Sequence, residues 1–278
     1  MLDLLQITND PALARRCDAL PGMRLFVDLE RNGKAERQAG RNTFISAHQL
    51  GDVGRVKAVL TSSRLMVRVN PLHPATKNEV DAVLAQGLAG TDLLMLPMFG
   101  SAAQLRAFSD IVAGRCGIVA LLETADALAT LDDWVATPGL AEVYVGLNDL
   151  HLSLGLRFMF EPLAMGLVDR VAHTVLRAGL RFGFGGIARV DEGLLPGRDV
   201  LAEHLRLGSG AVILSRTFNR PPDPSGQASG AVSGFEDEVA QLRQAELALA
   251  RRTPAQTEAD RQRIAASIQA IAVKAATT

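Results

Sequence analysis

RLMVRVNPLHPATKNEVDAVLAQGLAGTDLLMLP, residues 64–97, holds two short apolar runs, RLMVRV (64–69) and DLLMLP (92–97), around a stretch at 77–89 with helical periodicity. Strands joined through a helix pair in parallel, because a parallel pair needs a long crossover. The unit repeats in both directions. Upstream lie apolar runs at 3–8 and RLFVDL (24–29); downstream lie GIVALL (117–122), AEVYVG (141–146), RFGFGG (181–186) and AVILSR (211–216). Helical spacing fills 11–20, 51–62, 101–114, 124–137, 161–179 and 192–206. Strand and helix alternating eight times over about 220 residues predict a (β/α)8 TIM barrel. A doubly wound open sheet is the alternative, but no GxGxxG follows the first strand.

Past the eighth strand, PPDPSGQASGAVSG (221–234) reads as a linker. In 235–252 the residues Phe235, Val239, Leu242 and Leu249 form one helical stripe. Thr253 as N-cap, Pro254 at the first helical position and Gln256 completing a capping box start a second helix, whose stripe is Ile264, Ile268 and Ile271. The expected organisation is a catalytic barrel over 1–220, a linker over 221–234 and a C-terminal helical hairpin over 235–278. Each stripe needs an apolar partner, supplied either by its own barrel or by a neighbouring subunit; the second option makes a homo-oligomer expected.

At 278 residues, 48% hydrophobic and 21% charged, the chain has the composition of a globular domain. Lysine and arginine number 29 against 30 aspartate and glutamate, so nothing in the net charge of -1 draws in nucleic acid or an anionic membrane. No apolar run approaches a bilayer span and no basic leader precedes one, so a cytoplasmic protein is expected. Cys17 and Cys116 form no CxxC pair and read as buried thiols.

In such barrels the chemistry sits at the C-terminal ends of the strands. Asp28 and Glu30 close the second strand, Arg68 the third and Glu123 the fifth, while Asn148 and Asp149 follow the sixth. Asp92 and Glu142 lie at strand starts, where charges serve stability. Four carboxylates beside one arginine would be costly to desolvate without a cation, and oxygen donors suit magnesium or manganese. Zinc is disfavoured, since neither cysteine closes a strand and no HxH or HExxH occurs.

Taken in order, RLFVDLE (24–30) with Lys34, VRVNP (67–71), MLP (95–97), LLET (121–124) and VGLNDLHLSLG (145–155) resemble the HpcH/HpaI aldolase and citrate lyase β-subunit family. The resemblance implies a divalent metal held by Glu123 and Asp149, with Arg68 facing the oxygen of a 2-oxo acid or thioester. It also implies a carboxylate bound by backbone N–H groups of Gly146, Leu147, Asn148 and Asp149. Carbon–carbon bond making or breaking beside a carbonyl passes through an enolate, which metal and arginine would stabilise. No lysine closes a strand, which argues against Schiff-base chemistry.

The expected function is thus a metal-dependent aldolase or carbon–carbon lyase acting on a small 2-oxo acid, with Asp28 and Glu30 in support. A lyase acting on a CoA thioester and a barrel without catalysis, used in assembly or ligand sensing, are the alternatives. Arg31 stands where family aldolases tend to carry a histidine, which leaves the general base open among His48, His151 and a metal-bound water. His73 has no assigned role, and His173 and His204 read as helical structure. The glycines of FGFGGIAR (182–189) and LGSGAVILSR (207–216) either permit tight turns or cradle a phosphate. The phosphate reading requires Arg189, Arg216 and Arg220 to converge.

Overall fold

A computed structural model describes residues 1–33, 46–219 and 234–275. Eight parallel strands close into a barrel: β1 (Asp3–Ile7), β2 (Met23–Asp28), β3 (Leu65–Arg68), β4 (Gly90–Leu96), β5 (Cys116–Leu122), β6 (Leu140–Val145), β7 (Arg181–Ile187) and β8 (Ala211–Leu214), with β8 pairing back onto β1. Each apolar run of the sequence therefore becomes a staff of one (β/α)8 barrel, as expected.

The helices α1 (Pro11–Asp18), α2 (Leu50–Lys57), α3 (Thr76–Leu84) and α4 (Ala102–Val112) fall where the periodicity puts them. Four expectations need correction. The stretch 124–137 is two short helices, α5 (Ala125–Ala129) and α6 (Leu131–Trp134). VGLNDLHLSLG, for which the spacing predicts no helix, contains helix α7 (Leu147–Ser153), because Leu147, Leu150 and His151 form a buried face. The stretch 161–179 is broken into α8 (Glu161–Ala164) and α9 (Leu167–Arg177) at Gly166, whose φ of 74° belongs to the left-handed region. The helix after β7, α10 (Gly197–Arg206), begins later than 192, since Pro196 restricts the residue before it and stands as N-cap.

The barrel interior is layered. At the base, Arg24 is 1% exposed and gives both N–H bonds of one nitrogen to Glu142, at 3.0 and 2.9 Å, and another to Asp3 at 2.8 Å. Glu142 and also Asp92, which accepts from the Leu65 and Ala89 backbones, are structural, as their places at strand starts imply. The middle is apolar, with Leu5, Phe26, Met66, Met95, Val119 and Leu121. Tyr144 lies across it: its ring occupies the space that a Cβ on Gly183 would take, 2.7 Å away. Its hydroxyl accepts the Ile213 N–H, at 2.8 Å, where the β7 to β8 register shifts. His204 stacks on Phe184 at 3.8 Å between ring centroids, and burial depresses its pKa to about 3, so it stays neutral.

Among the described residues after the barrel, α11 (Phe235–Leu249) and α12 (Pro254–Ala275) form the expected hairpin. The capping box is present: the Gln256 N–H donates to Thr253 Oγ1 at 3.2 Å and the Thr253 N–H to Gln256 Oε1 at 2.8 Å. Phe235, Val239 and Leu242 on α11, and Ile264 and Ile268 on α12, are buried against the chain's own barrel. The helix α11 also ties down the base: Arg243 donates to the Leu2, Pro21 and Gly22 carbonyls, and Glu246 accepts the Leu2 N–H. The linker reading of 221–234 falls almost wholly outside the described residues. Cys17 and Cys116 are buried and unbridged, and no described helix is long and apolar enough to cross a membrane.

Candidate active site

Register on the sheet assembles the mouth of the barrel. Asp28 and Arg68 are direct partners on β2 and β3. Both point inward, so the Arg68 guanidinium meets the Asp28 carboxylate in a fork, Nε at 2.9 Å and Nη2 at 2.7 Å. Glu30 approaches Arg68 Nε at 3.4 Å, and Arg68 sits over the Phe26 ring at 5.6 Å. Burial works against the arginine's charge, but Asp28, then Glu30 and Glu123, outweigh it and raise its pKa.

Across the mouth, Leu122 pairs with Val145, which sets Glu123 beside Gly146. A Cβ on Gly146 would lie 2.7 Å from Glu123 Oε2. Glycine there has a steric reason: it makes room for the carboxylate. The other oxygen, Oε1, accepts the Met98 N–H at 3.0 Å from a residue held at φ 54°. Glu123 is only 2% exposed. Burial first, then the charges of Asp149 and Glu30, push its pKa up to about 8 against the opposing pull of Arg68 and the Met98 N–H. Asp149 occupies the first turn of α7, directly after Gly146.

A cavity of about 530 Å³ opens here, lined by Asp28, Ser46, His48, Arg68, Asn148 and Asp149 on one side and by Ile7, Ile213, Ser215 and Arg216 on the other. The positional reading therefore brings together Asp28, Arg68, Asn148 and Asp149, with Glu30 and Glu123 in electrostatic contact. His48 is brought to the same cavity although it lies far along the chain from β2. Its Nδ1 accepts the Asp28 backbone N–H at 3.1 Å, which places the proton of a neutral ring on Nε2. His151 is turned away, its Nδ1 3.2 Å from the Leu147 carbonyl of its own helix. The Leu147 side chain is buried against β7, so only its backbone faces the mouth.

The wall contributed by β1 and β8 escaped the sequence reading. Ile7 and Ser215 sit at or beyond strand ends, and the rule that found Arg68 would have found them had apolar and small residues been considered. The phosphate reading finds no support in Arg189, which faces Glu192 and Glu238 at 3.7 and 3.5 Å and whose backbone N–H donates to Thr217. Arg220 and Lys34 lie outside the described residues.

The donor set suits a hard divalent cation. A carboxyl lifted to about 8 by burial, with two neighbouring carboxylates adding to it, is a site that added positive charge would ionise. No set of three or more His, Cys, Asp or Glu ligands occurs among the described residues. A cation on Glu123 and Asp149 would thus complete its shell with water and substrate oxygens, as magnesium does.

A family model for HpcH/HpaI aldolase/citrate lyase matches residues 7–165, the span that carries Asp28, Arg68, Glu123 and Asp149. The chain belongs to the HpcH/HpaI aldolase/citrate lyase family. Over 79 residues it is 34% identical to a hydroxypyruvate/pyruvate aldolase of Rhizorhabdus wittichii, a match covering 26% of this chain and 32% of that relative. The chain thus aligns with about a third of that relative's length. Among solved structures, the citrate lyase β subunit of M. tuberculosis complexed with oxaloacetate and magnesium shares the fold with a TM-score of 0.58 at 16% identity, over 90% of this chain and 97% of that one. An HpcH/HpaI aldolase from Desulfitobacterium hafniense DCB-2 gives 0.57 at 16% identity, over 77% and 86%. An enzyme of the aldolase and lyase type follows from family membership.

Proposed function

We propose that this family member is a metal-dependent aldolase that makes or breaks a carbon–carbon bond through the enolate of a small 2-oxo acid of the pyruvate type. The observation that carries the reading is the mouth itself: Arg68 forked onto Asp28, beside a Glu123 that burial, then neighbouring carboxylates, push up to about 8. The magnesium-bound relative and the pyruvate aldolase relative support the same choice.

In this reading Glu123 and Asp149 hold magnesium or manganese, which when bound supplies Lewis acidity to the 2-oxo group. Arg68 stabilises the charge that develops on the enolate oxygen, and Asp28 and Glu30 fix its plane so that no reorganisation is needed as the charge forms. The backbone N–H groups of Leu147 and Asn148, in the first turn of α7, receive the substrate carboxylate, that of Gly146 being taken by the Leu122 carbonyl at 2.9 Å. His48 acts as a neutral donor: with Nδ1 occupied by the Asp28 N–H, its Nε2–H is directed to an oxygen of the electrophile rather than poised to accept a proton. Ile7 and Ile213 form the apolar flank that keeps water from the reacting carbon.

The test is proton NMR of pyruvate in D2O with the protein and magnesium, following loss of the methyl signal, then repeated with EDTA. Metal-dependent exchange is expected, and Arg68→Ala should slow it by about 100- to 1,000-fold, the scale of one lost oxyanion donor. Exchange that is absent from the wild type, or equal in Arg68→Ala, would overturn the reading. We also read 1–220 as the catalytic unit and 235–278 as a helical extension of a soluble, cytoplasmic homo-oligomer. Light scattering of the full chain checks the assembly, for which a monomer mass would be decisive against it.

A further inference from the structure

Arg31 and His73, neither of which the proposed chemistry uses, belong to one hydrogen-bonded chain that ends at His48. It starts on α3. Glu79 Oε2 lies 3.0 Å from His73 Nε2, and His73 Nδ1 accepts the Ala75 N–H at 3.2 Å, so Nε2 is the nitrogen that donates to Glu79. Glu79 Oε1 accepts twice from Asn70, from its backbone N–H at 3.0 Å and its Nδ2 at 2.7 Å. That pair fixes which way the Asn70 amide faces. Its Oδ1 is left to accept two consecutive backbone N–H groups, Arg31 at 2.8 Å and Asn32 at 2.9 Å.

The next bond crosses to the far end of the β2 to α2 connection: Arg31 Nη2 donates to the His48 carbonyl at 2.8 Å. His48 is thus held by its carbonyl from Arg31 and by its ring from the Asp28 N–H, and its own N–H donates to Ser46 Oγ at 3.2 Å. A second cavity, about 370 Å³ and lined by Arg31, His48, Asn70 and Glu79, lies among these groups. Hydrogen bonds thus link Asn70 to His48 along the wall of this cavity. Each donor in the chain meets one acceptor, so a single set of tautomers and amide orientations satisfies every link.

We infer that Asn70, oriented by Glu79 and His73, is a positioning residue that acts through Arg31 to hold the His48 imidazole at the barrel mouth against the Asp28 N–H that sets its tautomer. The inference rests on the role given to His48 above. It also gives Arg31 a purpose: the residue at this position holds a histidine supplied from α2's approach.

The test reads His48 directly. In protein labelled with 15N-histidine, the His48 signals are identified by their loss in His48→Gln. Wild type should show two well-separated ring 15N shifts, with the proton on Nε2. In Asn70→Ala and in Arg31→Ala the pair should collapse toward its mean, as ring exchange between tautomers sets in, while the His204 signals stay in place. Arg31→Ala leaves the Asn70, Glu79 and His73 bonds intact, so it separates positioning from folding should Asn70→Ala lose stability. Unchanged His48 shifts in both variants would overturn the inference. Pyruvate methyl exchange, run on the same samples, distinguishes the two levels: exchange present with unmoved His48 shifts defeats only the positioning role. Absent exchange in the wild type defeats the reading of the site.

Discussion

Gly146 is defined by what a side chain there would strike. The backbone of this residue is in an ordinary region, so conformational freedom does not demand glycine; the Glu123 carboxylate 2.7 Å from a built Cβ does. Gly146→Ala should displace Glu123 and weaken Mn2+ binding by about 10- to 100-fold, the usual cost of disturbing a ligand's support, with the far-ultraviolet circular dichroism unchanged. Electron paramagnetic resonance titration measures it, and undiminished affinity would remove Glu123 from the ligand set. The raised pKa of Glu123 gives a second expectation. Below about 8 a cation must displace a proton, so apparent Mn2+ affinity should fall by about tenfold per pH unit on acidification. The sign of the stability effect is opposite. The folded protein keeps a proton that the unfolded carboxyl, at 4.5, releases, so the metal-free protein should lose stability as pH rises from about 4.5 to about 8. Denaturant midpoints in EDTA should show this slope, and Glu123→Gln should flatten it. At this scale the sequence was informative wherever position on a strand decides the role, as for Asp28, Arg68 and Glu123. Where a long connection decides, it named His48 but left it one of several candidates, and it was silent where the functional group is a backbone N–H, as for Met98.

At the scale of elements, what could be read was what periodicity encodes. Strands buried on both faces show as apolar runs, and every one of them fell on a staff of the barrel. Helix α7 was missed because seven residues beginning at a glycine carry too few turns to show a pattern, and its polar face, with Asn148 and Asp149, belongs to the site. The breaks within 124–137 and 161–179 follow from local backbone geometry that apolar spacing does not report. The N-terminus of α12 was legible because capping is itself a sequence pattern. Thr253→Ala removes the oxygen that accepts the Gln256 N–H and should destabilise the protein by about 1 kcal/mol. Urea denaturation of the full chain measures it, and Thr253→Ser, which keeps the oxygen, should recover most of the loss. A change within error for the alanine variant would mean that the hairpin does not share the barrel's unfolding transition.

Across the whole molecule the two ends of the barrel treat charge in opposite ways. At the base, Arg24, Arg64 and Arg181 all donate to Asp3, and Arg24 also closes on Glu142 with both partners 1% exposed. At the mouth, Asp28, Glu30, Glu123 and Asp149 surround Arg68 on the wall of an open cavity. The base is an ionic plug; the mouth sets carboxylates beside an open cavity. This asymmetry makes a prediction that separates stability from function. Arg24→Leu leaves the buried Glu142 carboxylate with the half-exposed Arg181, 3.5 Å away, and should cost about 3 kcal/mol in denaturant unfolding. Arg24→Leu combined with Glu142→Leu removes both charges and should recover much of that loss, since a well-packed apolar pair can replace a buried ion pair. Metal-dependent pyruvate exchange in the folded double variant should stay within about twofold of wild type, because the apolar layer of Leu5, Phe26, Met66 and Tyr144 lies between the base and Arg68. A double variant that regains stability but loses exchange would show that the plug sets the geometry of the mouth through that layer, and the division between a structural base and a chemical rim would have to be abandoned.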